Sequence, residues 1–112
     1  MEHKTPLDRA DRFGTSRIPG GLALSGTIDL ATWPALAEAL GSVAACEAPE
    51  VVLDLSGVGF VDSHGVSLIV DSARGLGPAR RLLVRGAPPT MLRIADVLNL
   101  RREPRLRIEG LV

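Results

Sequence analysis

The sequence contains few aromatic residues, a single cysteine and no tyrosine. Its aromatic residues are Phe13, Trp33 and Phe60 in a chain of 112 residues. We therefore expect an aliphatic core of leucine, valine, isoleucine and alanine, with Trp33 in the core or at a helix edge. The lone cysteine, Cys46, cannot form an internal disulfide, and this agrees with a reducing compartment. We expect Cys46 to be a small buried apolar residue rather than a reactive thiol.

Long apolar runs are also absent. No stretch approaches the roughly 18 apolar residues that a bilayer-spanning helix needs, and the first residues lack the apolar segment of a signal peptide. The composition is 46% hydrophobic and 23% charged, which is typical of a globular domain rather than a disordered segment. We therefore predict a cytoplasmic protein with one domain, since 112 residues leave no room for two.

The net charge is zero, so a general nucleic-acid-binding function has little support from charge. Between Ile18 and Ala73 the chain has no lysine or arginine, whereas arginines precede and follow this stretch. The acidic residues within it are Asp29, Glu38, Glu47, Glu50, Asp54, Asp62 and Asp71. Two solvated faces of opposite charge explain this distribution, and on charge alone we slightly favour them. The alternative is an acidic surface that binds a basic partner.

The hydrophobic pattern alternates between the periods of strands and helices. Short apolar runs predict strands near residues 22–24, 51–55, 82–84 and 106–108. Between them, apolar residues at helical spacing predict helices that start after Thr32, at Ser63 and after Pro88-Pro89. The third helix is expected to turn Met91, Ile94, Ala95 and Leu98 toward the core. This order predicts an α/β domain, with a mixed, mostly parallel sheet of four to five strands packed with three or more helices.

The first residues differ from the rest of the chain. Residues 1–17 are polar and lack a clear period, so we expect a flexible lead-in there, either without structure or with a short first strand near Phe13. The folded domain would then comprise residues 18–112, and Pro19-Gly20-Gly21 marks its start.

The segment Asp62-Ser63-His64-Gly65 lies between a predicted strand and a predicted helix. Ser63 is expected to be the N-cap of that helix, as Thr32 is of the first, and a cap alone contributes about 1 kcal/mol. Most serines at such positions have no further role. However, a helix N-terminus carries unpaired N–H groups and a partial positive charge, which favour a phosphate. A phosphoserine there would add roughly 1.5 to 2 negative charges beside Asp62 and leave the fold intact.

Three segments, taken in order, resemble a STAS domain and, more closely, the bacterial anti-sigma factor antagonists. They are Leu24-Ser25-Gly26-Thr27-Ile28-Asp29-Leu30, Val51-Val52-Leu53-Asp54-Leu55-Ser56 and Phe60-Val61-Asp62-Ser63-His64-Gly65-Val66. The resemblance implies a protein that binds an anti-sigma factor which is also a serine/threonine kinase. Binding frees a sigma factor, and phosphorylation of the antagonist ends the contact.

The resemblance also implies the site residues. The phosphoacceptor of the family follows the motif aspartate and is Ser63 here, and the other motif aspartates are Asp29 and Asp54. Partner binding is accordingly expected at Asp29, Asp54, Asp62, Ser63, His64 and Gly65. The family usually has Ser or Thr after the acceptor, where this chain has His64. Its imidazole would either pair with the phosphate when protonated or be an exposed residue without a role, and we favour the latter.

Other functions have less support. A hydrolase is disfavoured because Ser63 and His64 are adjacent and their side chains diverge, and the sequence has no Gly-x-Ser-x-Gly motif. Two distant histidines and one cysteine provide no metal-ligand spacing. We thus expect a monomer or weak dimer that is not an enzyme and uses no cofactor, metal, nucleic acid or membrane. The main alternative is a STAS module that regulates a transporter or enzyme, or binds a small ligand, without phosphorylation, because a fold does not determine a function.

Overall fold

The computed structural model describes residues 12–111, whereas residues 1–11 and 112 lie outside the described part. Its elements are β1 Gly14–Ile18, β2 Gly21–Ile28, α1 Trp33–Ala45, β3 Glu50–Val61, α2 Ser63–Arg74, β4 Arg81–Arg85, α3 Pro89–Val97, a 3-10 turn Leu100–Arg102 and β5 Leu106–Ile108. The predicted α/β domain is confirmed. Most of the expected lead-in at residues 1–17 falls outside the described residues, and β1 begins within it.

The five strands form one sheet in the spatial order β1-β2-β3-β4-β5. β1 and β2 are an antiparallel hairpin, and β2 to β5 pair in parallel. Parallel neighbours end at the same edge of a sheet, and here Ile28 of β2 is paired with Val61 of β3. The amide of Asp62 donates to the carbonyl oxygen of Ile28 at 3.1 Å. The segments that follow β2 and β3 therefore lie side by side at one edge.

β3 extends over Glu50–Val61 and is longer than the apolar run at residues 51–55 predicts. It pairs with β4 only as far as Asp54, whereas its pairing with β2 continues to Val61. After β4 the chain turns away at Gly86, which has a φ of 69° and lies so close to Ser56 that a Cβ there would be 2.8 Å from the Ser56 Cβ. Such a left-handed turn strongly favours glycine. The second half of β3 consequently has no strand beside it on the α3 side among the described residues.

The core is aliphatic, as expected. The largest fully buried side chains include Leu24, Ile28, Leu36, Leu53, Leu55, Ile69, Leu82 and Met91, and no polar or charged residue of the described part is buried as a whole. α2 packs between α1 and α3. None of the described helices combines the length and the apolar character that crossing a membrane requires.

The prediction for the third helix was wrong at its end. Met91 and Ala95 are buried and Ile94 is partly buried, but Leu98 is 52% exposed. α3 ends at Val97, and Asn99 adopts a left-handed conformation with a φ of 56°. Because Leu98 lies beyond the last helical residue, the spacing of seven residues from Met91 no longer places it on the buried face.

Candidate functional site

The N-cap of α2 is Asp62, so the prediction of Ser63 as the cap was wrong by one residue. The Asp62 backbone is extended, and its Oδ1 accepts a hydrogen bond from the Gly65 amide at 2.7 Å. Aspartate and serine cap helices about equally well, and the cap is the residue that is still extended when the strand ends. Ser63 is the first residue of α2, and its hydroxyl is not needed to cap the helix.

The Ser63 side chain is available to a partner. The residue is exposed, and its hydroxyl has no hydrogen bond to any residue within 12–111. It lies at the edge of an open groove of about 590 Å³ between the end of β3 and α3, which we call the β3–α3 groove. The groove is lined by Phe60, Val61, Asp62, Ser63, Thr90, Arg93, Ile94, Val97 and Leu98.

The β3–α3 groove is mainly apolar and exposed. Phe60, Val97 and Leu98 are 43%, 79% and 52% exposed, and Leu30, at 71%, is the fourth large apolar side chain exposed in the described part of the chain. Contiguous apolar surface of this kind commonly marks a protein-binding or ligand-binding site. The exposed hydroxyl of Ser63 therefore adjoins an exposed apolar surface.

Gly65 allows α2 to start directly against the strand ends. A Cβ at this position would lie 2.5 Å from Cγ2 of Ile28 and 2.9 Å from Cγ2 of Val61. Any larger residue would push the helix start away from the sheet. Gly65 thus sets the position of Ser63 relative to the sheet edge.

Trp33, the first residue of α1, contacts both neighbours of Ser63. Its Nε1–H donates to Oδ1 and Oδ2 of Asp62 at 3.0 and 3.1 Å. Its ring centroid lies 4.0 Å from that of His64, with the planes inclined by 50°. From the sequence, Trp33 was predicted only as a core or helix-edge residue, so this role was missed. The signal was its place just after β2, because parallel strands bring the starts of α1 and α2 together.

Asp29 stabilises the turn between β2 and α1. Its Oδ1 accepts from the Ala31 amide at 3.1 Å, its amide donates to Oγ1 of Thr32 at 3.0 Å, and its carbonyl oxygen accepts from the Trp33 amide at 2.9 Å. Thr32 is the N-cap residue of α1 as predicted, but its hydroxyl donates to the Thr27 carbonyl oxygen at 2.7 Å and does not cap α1. Asp29 is therefore at the same edge as Asp62, and its turn places Trp33.

Asp54 lies away from these residues. It is seven residues before Val61 on β3, which corresponds to roughly 20 Å of extended chain. Hydrogen bonds from the Ser56 amide, at 2.9 Å, and then from the Ser56 hydroxyl lower the pKa of the Asp54 carboxyl, and the charge of Arg85 adds a smaller effect. The structure does not bring Asp54 to Ser63, and its role in partner binding stays a prediction.

Among the described residues, no histidine or carboxylate accepts a hydrogen bond from the Ser63 hydroxyl. His64 packs on the Trp33 ring, and a nucleophilic serine needs a base within hydrogen-bonding distance of its hydroxyl. Across residues 12–111, no three His, Cys, Asp or Glu side chains form a group that could hold a metal ion. The chemistry that the site offers is a free hydroxyl beside an apolar groove.

Comparison with known proteins agrees with this geometry. A family model described as "Mlab, STAS domain" matches residues 12–111. Two curated relatives, the anti-sigma-F factor antagonists RsfB of Mycobacterium tuberculosis strains CDC 1551 / Oshkosh and ATCC 25618 / H37Rv, are each 39% identical over 56 residues. That alignment covers 50% of this chain and 46% of each relative, so the chain spans about half the length of the curated relatives it matches.

A solved structure matches over more of the chain. The crystal structure of an anti-sigma factor antagonist from Mycobacterium paratuberculosis has a TM-score of 0.67 and 30% sequence identity, and the match covers 86% of this chain and 84% of that one. The resemblance inferred from the three sequence segments is confirmed. With its family match over residues 12–111 and this shared fold, the chain belongs to the STAS domain family, among the anti-sigma factor antagonists.

Proposed function

We propose that this protein binds an anti-sigma factor that is also a serine/threonine kinase, and that phosphorylation of Ser63 by this kinase ends the contact. The observation that carries the proposal is the position of Ser63, whose exposed hydroxyl takes no part in capping and lies at the edge of the β3–α3 groove. The partner class is supported by the relatives named anti-sigma factor antagonists. In this interaction with the kinase, which we place in the cytoplasm, the protein is a binding partner and a substrate and not an enzyme.

Binding would use the edge of the sheet at which the parallel strands end. The β3–α3 groove offers apolar side chains on one side of Ser63, and Leu30 is exposed after β2. Asp29, Asp62 and His64 complete the proposed partner-binding surface around Ser63, and Gly65, which is buried, contributes by positioning the start of α2. An apolar anchor of the partner in the groove would supply affinity, and the aspartates would favour a partner with basic groups at its edge.

Phosphorylation would change this surface without unfolding the protein. A helix N-terminus stabilises negative charge, so α2 tolerates a phosphate on its first residue. The same phosphate would put roughly 1.5 to 2 negative charges next to the Asp62 carboxylate and at the edge of the apolar groove. A partner whose apolar anchor occupies the groove would then have to desolvate the phosphate, and this cost weakens binding.

The experiment starts with capture of partners from the native cell by the tagged chain. The captured kinase is then incubated with the chain and ATP, and the phosphate is located by mass spectrometry. We expect phosphate on Ser63, with none on Ser63→Ala and full incorporation in Ser67→Ala. Ser67 is a matched control because it is also exposed and lies one turn further along α2. Phosphate at another residue, or none with a kinase that binds, would refute the proposal.

A second candidate function is a regulatory module that binds a transporter, an enzyme or a small ligand without phosphorylation. The volume and apolar lining of the β3–α3 groove favour it, because about 590 Å³ is within the usual size range of small-molecule sites. The same capture experiment separates the two functions. A transporter or metabolic enzyme as the main captured protein, without incorporation of phosphate, would favour the second.

A further inference from the structure

The side chain of Ser63 is exposed, whereas the residues on either side of it in sequence, Asp62 and His64, both contact the indole of Trp33. We propose that Trp33 is a positioning residue for the phosphoacceptor and that it holds Asp62 and His64 so that Ser63 is presented to the kinase in one backbone conformation. We call Trp33, Asp62 and His64 the Trp33 clamp. The inference rests on the proposed function, in which Ser63 receives the phosphate.

The Asp62 side of the clamp consists of three hydrogen bonds. Oδ1 accepts from the Gly65 amide at 2.7 Å and from Trp33 Nε1 at 3.0 Å, and Oδ2 accepts from Nε1 at 3.1 Å. Hydrogen bonds to an ionised carboxylate are stronger than those between neutral groups. The carboxylate therefore ties the first turn of α2 to the first residue of α1.

The His64 side of the clamp is a ring contact. The imidazole packs on the same indole, with ring centroids 4.0 Å apart and planes inclined by 50°. This contact directs the His64 side chain toward α1, whereas Ser63 lines the β3–α3 groove on the other side. The two neighbours of Ser63 are thus both in contact with one indole, and the Ser63 hydroxyl is exposed at the edge of the groove.

Trp33 is itself well anchored. Its amide donates to the Asp29 carbonyl oxygen at 2.9 Å, within the turn that Asp29 and Thr32 stabilise. Its side chain is half-buried and packs against the hydrophobic core. The chain of contacts runs from the turn after β2, through the indole, to the residues that flank Ser63.

Holding the acceptor matters because phosphoryl transfer depends mainly on position. The protein contributes little covalent chemistry to this reaction, and the attacking oxygen must be in line with the leaving group. The first turn of a helix otherwise opens easily, since local unfolding starts at such ends. Without the clamp, Ser63 would spend less time in the conformation that reacts.

The test compares Trp33→Phe with Val43→Ala in the full chain. Phenylalanine keeps an aromatic ring for His64 but removes the N–H that binds Asp62. Val43 is 1% exposed on the same helix, so its truncation weakens α1 without touching the clamp. Steady-state kinetics would use the kinase that phosphorylates the wild-type chain. Hydrogen exchange of the Gly65 amide would be followed by NMR, and the slowest core amides would report global unfolding separately.

For Trp33→Phe we expect kcat to fall about tenfold with KM within about twofold, since a displacement of 1 Å can cost roughly 100-fold. The exchange rate of the Gly65 amide should rise about tenfold. Val43→Ala should change neither quantity. An unchanged kcat, a loss confined to KM, or an equal fall of kcat in Val43→Ala would overturn the proposal.

Failure of the proposed function has a different signature. If no kinase modifies the wild-type chain at Ser63, the proposed function fails, and the exchange experiment still tests the clamp without any kinase. Faster Gly65 exchange in Trp33→Phe would then support the clamp as a device that orders the start of α2. Exchange equal to that of the wild type would overturn it.

Discussion

Replacing Gly65 by alanine should destabilise the protein, although alanine is the better helix former. The added Cβ would lie 2.5 Å from Cγ2 of Ile28 and 2.9 Å from Cγ2 of Val61. Both side chains are fully buried, so neither can move aside freely. Overpacking of this kind costs about 1–3 kcal/mol, and we expect the upper end because two contacts are involved. The higher helix propensity of alanine offsets about 1 kcal/mol of this cost. The free energy of unfolding should therefore fall by about 2 kcal/mol.

Urea denaturation followed by circular dichroism measures this free energy of unfolding. The matched control is Gly41→Ala in α1, where an added Cβ would have nothing within 4 Å. That variant should gain about 1 kcal/mol, because propensity acts there without a clash. For a domain of this size, the two changes correspond to melting temperatures lower by about 8 °C and higher by about 4 °C. A Gly65→Ala variant as stable as the wild type would refute the packing argument.

Three further predictions concern the residues around the site. Ser63→Asp should bind the captured partner at least about tenfold more weakly than Ser63→Ala, as measured by isothermal titration calorimetry, and equal affinities would contradict the phosphate mechanism. Asp62→Ala should lose at least about 1–2 kcal/mol of stability in urea denaturation, whereas Asp62→Ser should recover only the part that the cap contributes. The pKa of the Asp54 carboxyl is lowered by hydrogen bonds from Ser56. The ionised carboxylate therefore contributes to the free energy of unfolding at pH values above the unfolded-state pKa of about 4. This contribution should disappear as the pH falls through the lower folded-state pKa. Asp54→Asn should therefore make unfolding free energy less dependent on pH below about 4, and an unchanged dependence would contradict this.

The alternation of strands and helices was predictable because each element buries one face, and the period of the apolar residues shows that face directly. Leu22 and Leu24 alternate on β2, and Val66, Ile69 and Val70 recur at helical spacing on α2. The order of the elements then implies a parallel sheet. Both the fold and the location of Ser63 at a strand-to-helix junction follow from local pattern.

The details that the sequence argument missed depend on contacts between distant parts of the chain. Asp62 and Ser63 are both good capping residues, and pairing of β3 with β2 up to Val61 decides between them. Trp33 and Asp62 are 29 residues apart, and the parallel pairing of β2 with β3, rather than a local pattern, brings them together. The exposure of Leu98 follows from the end of α3 at Val97.

The indole beside Ser63 also makes the protein its own optical probe. Trp33 is the only tryptophan, and the sequence has no tyrosine, so the ultraviolet emission of the chain comes essentially from one place. That place is in contact with the carboxylate of Asp62 and the imidazole of His64. Changes in charge or solvent access at the phosphoacceptor should alter this emission. Binding and modification can therefore be followed in real time on the unlabelled wild-type chain.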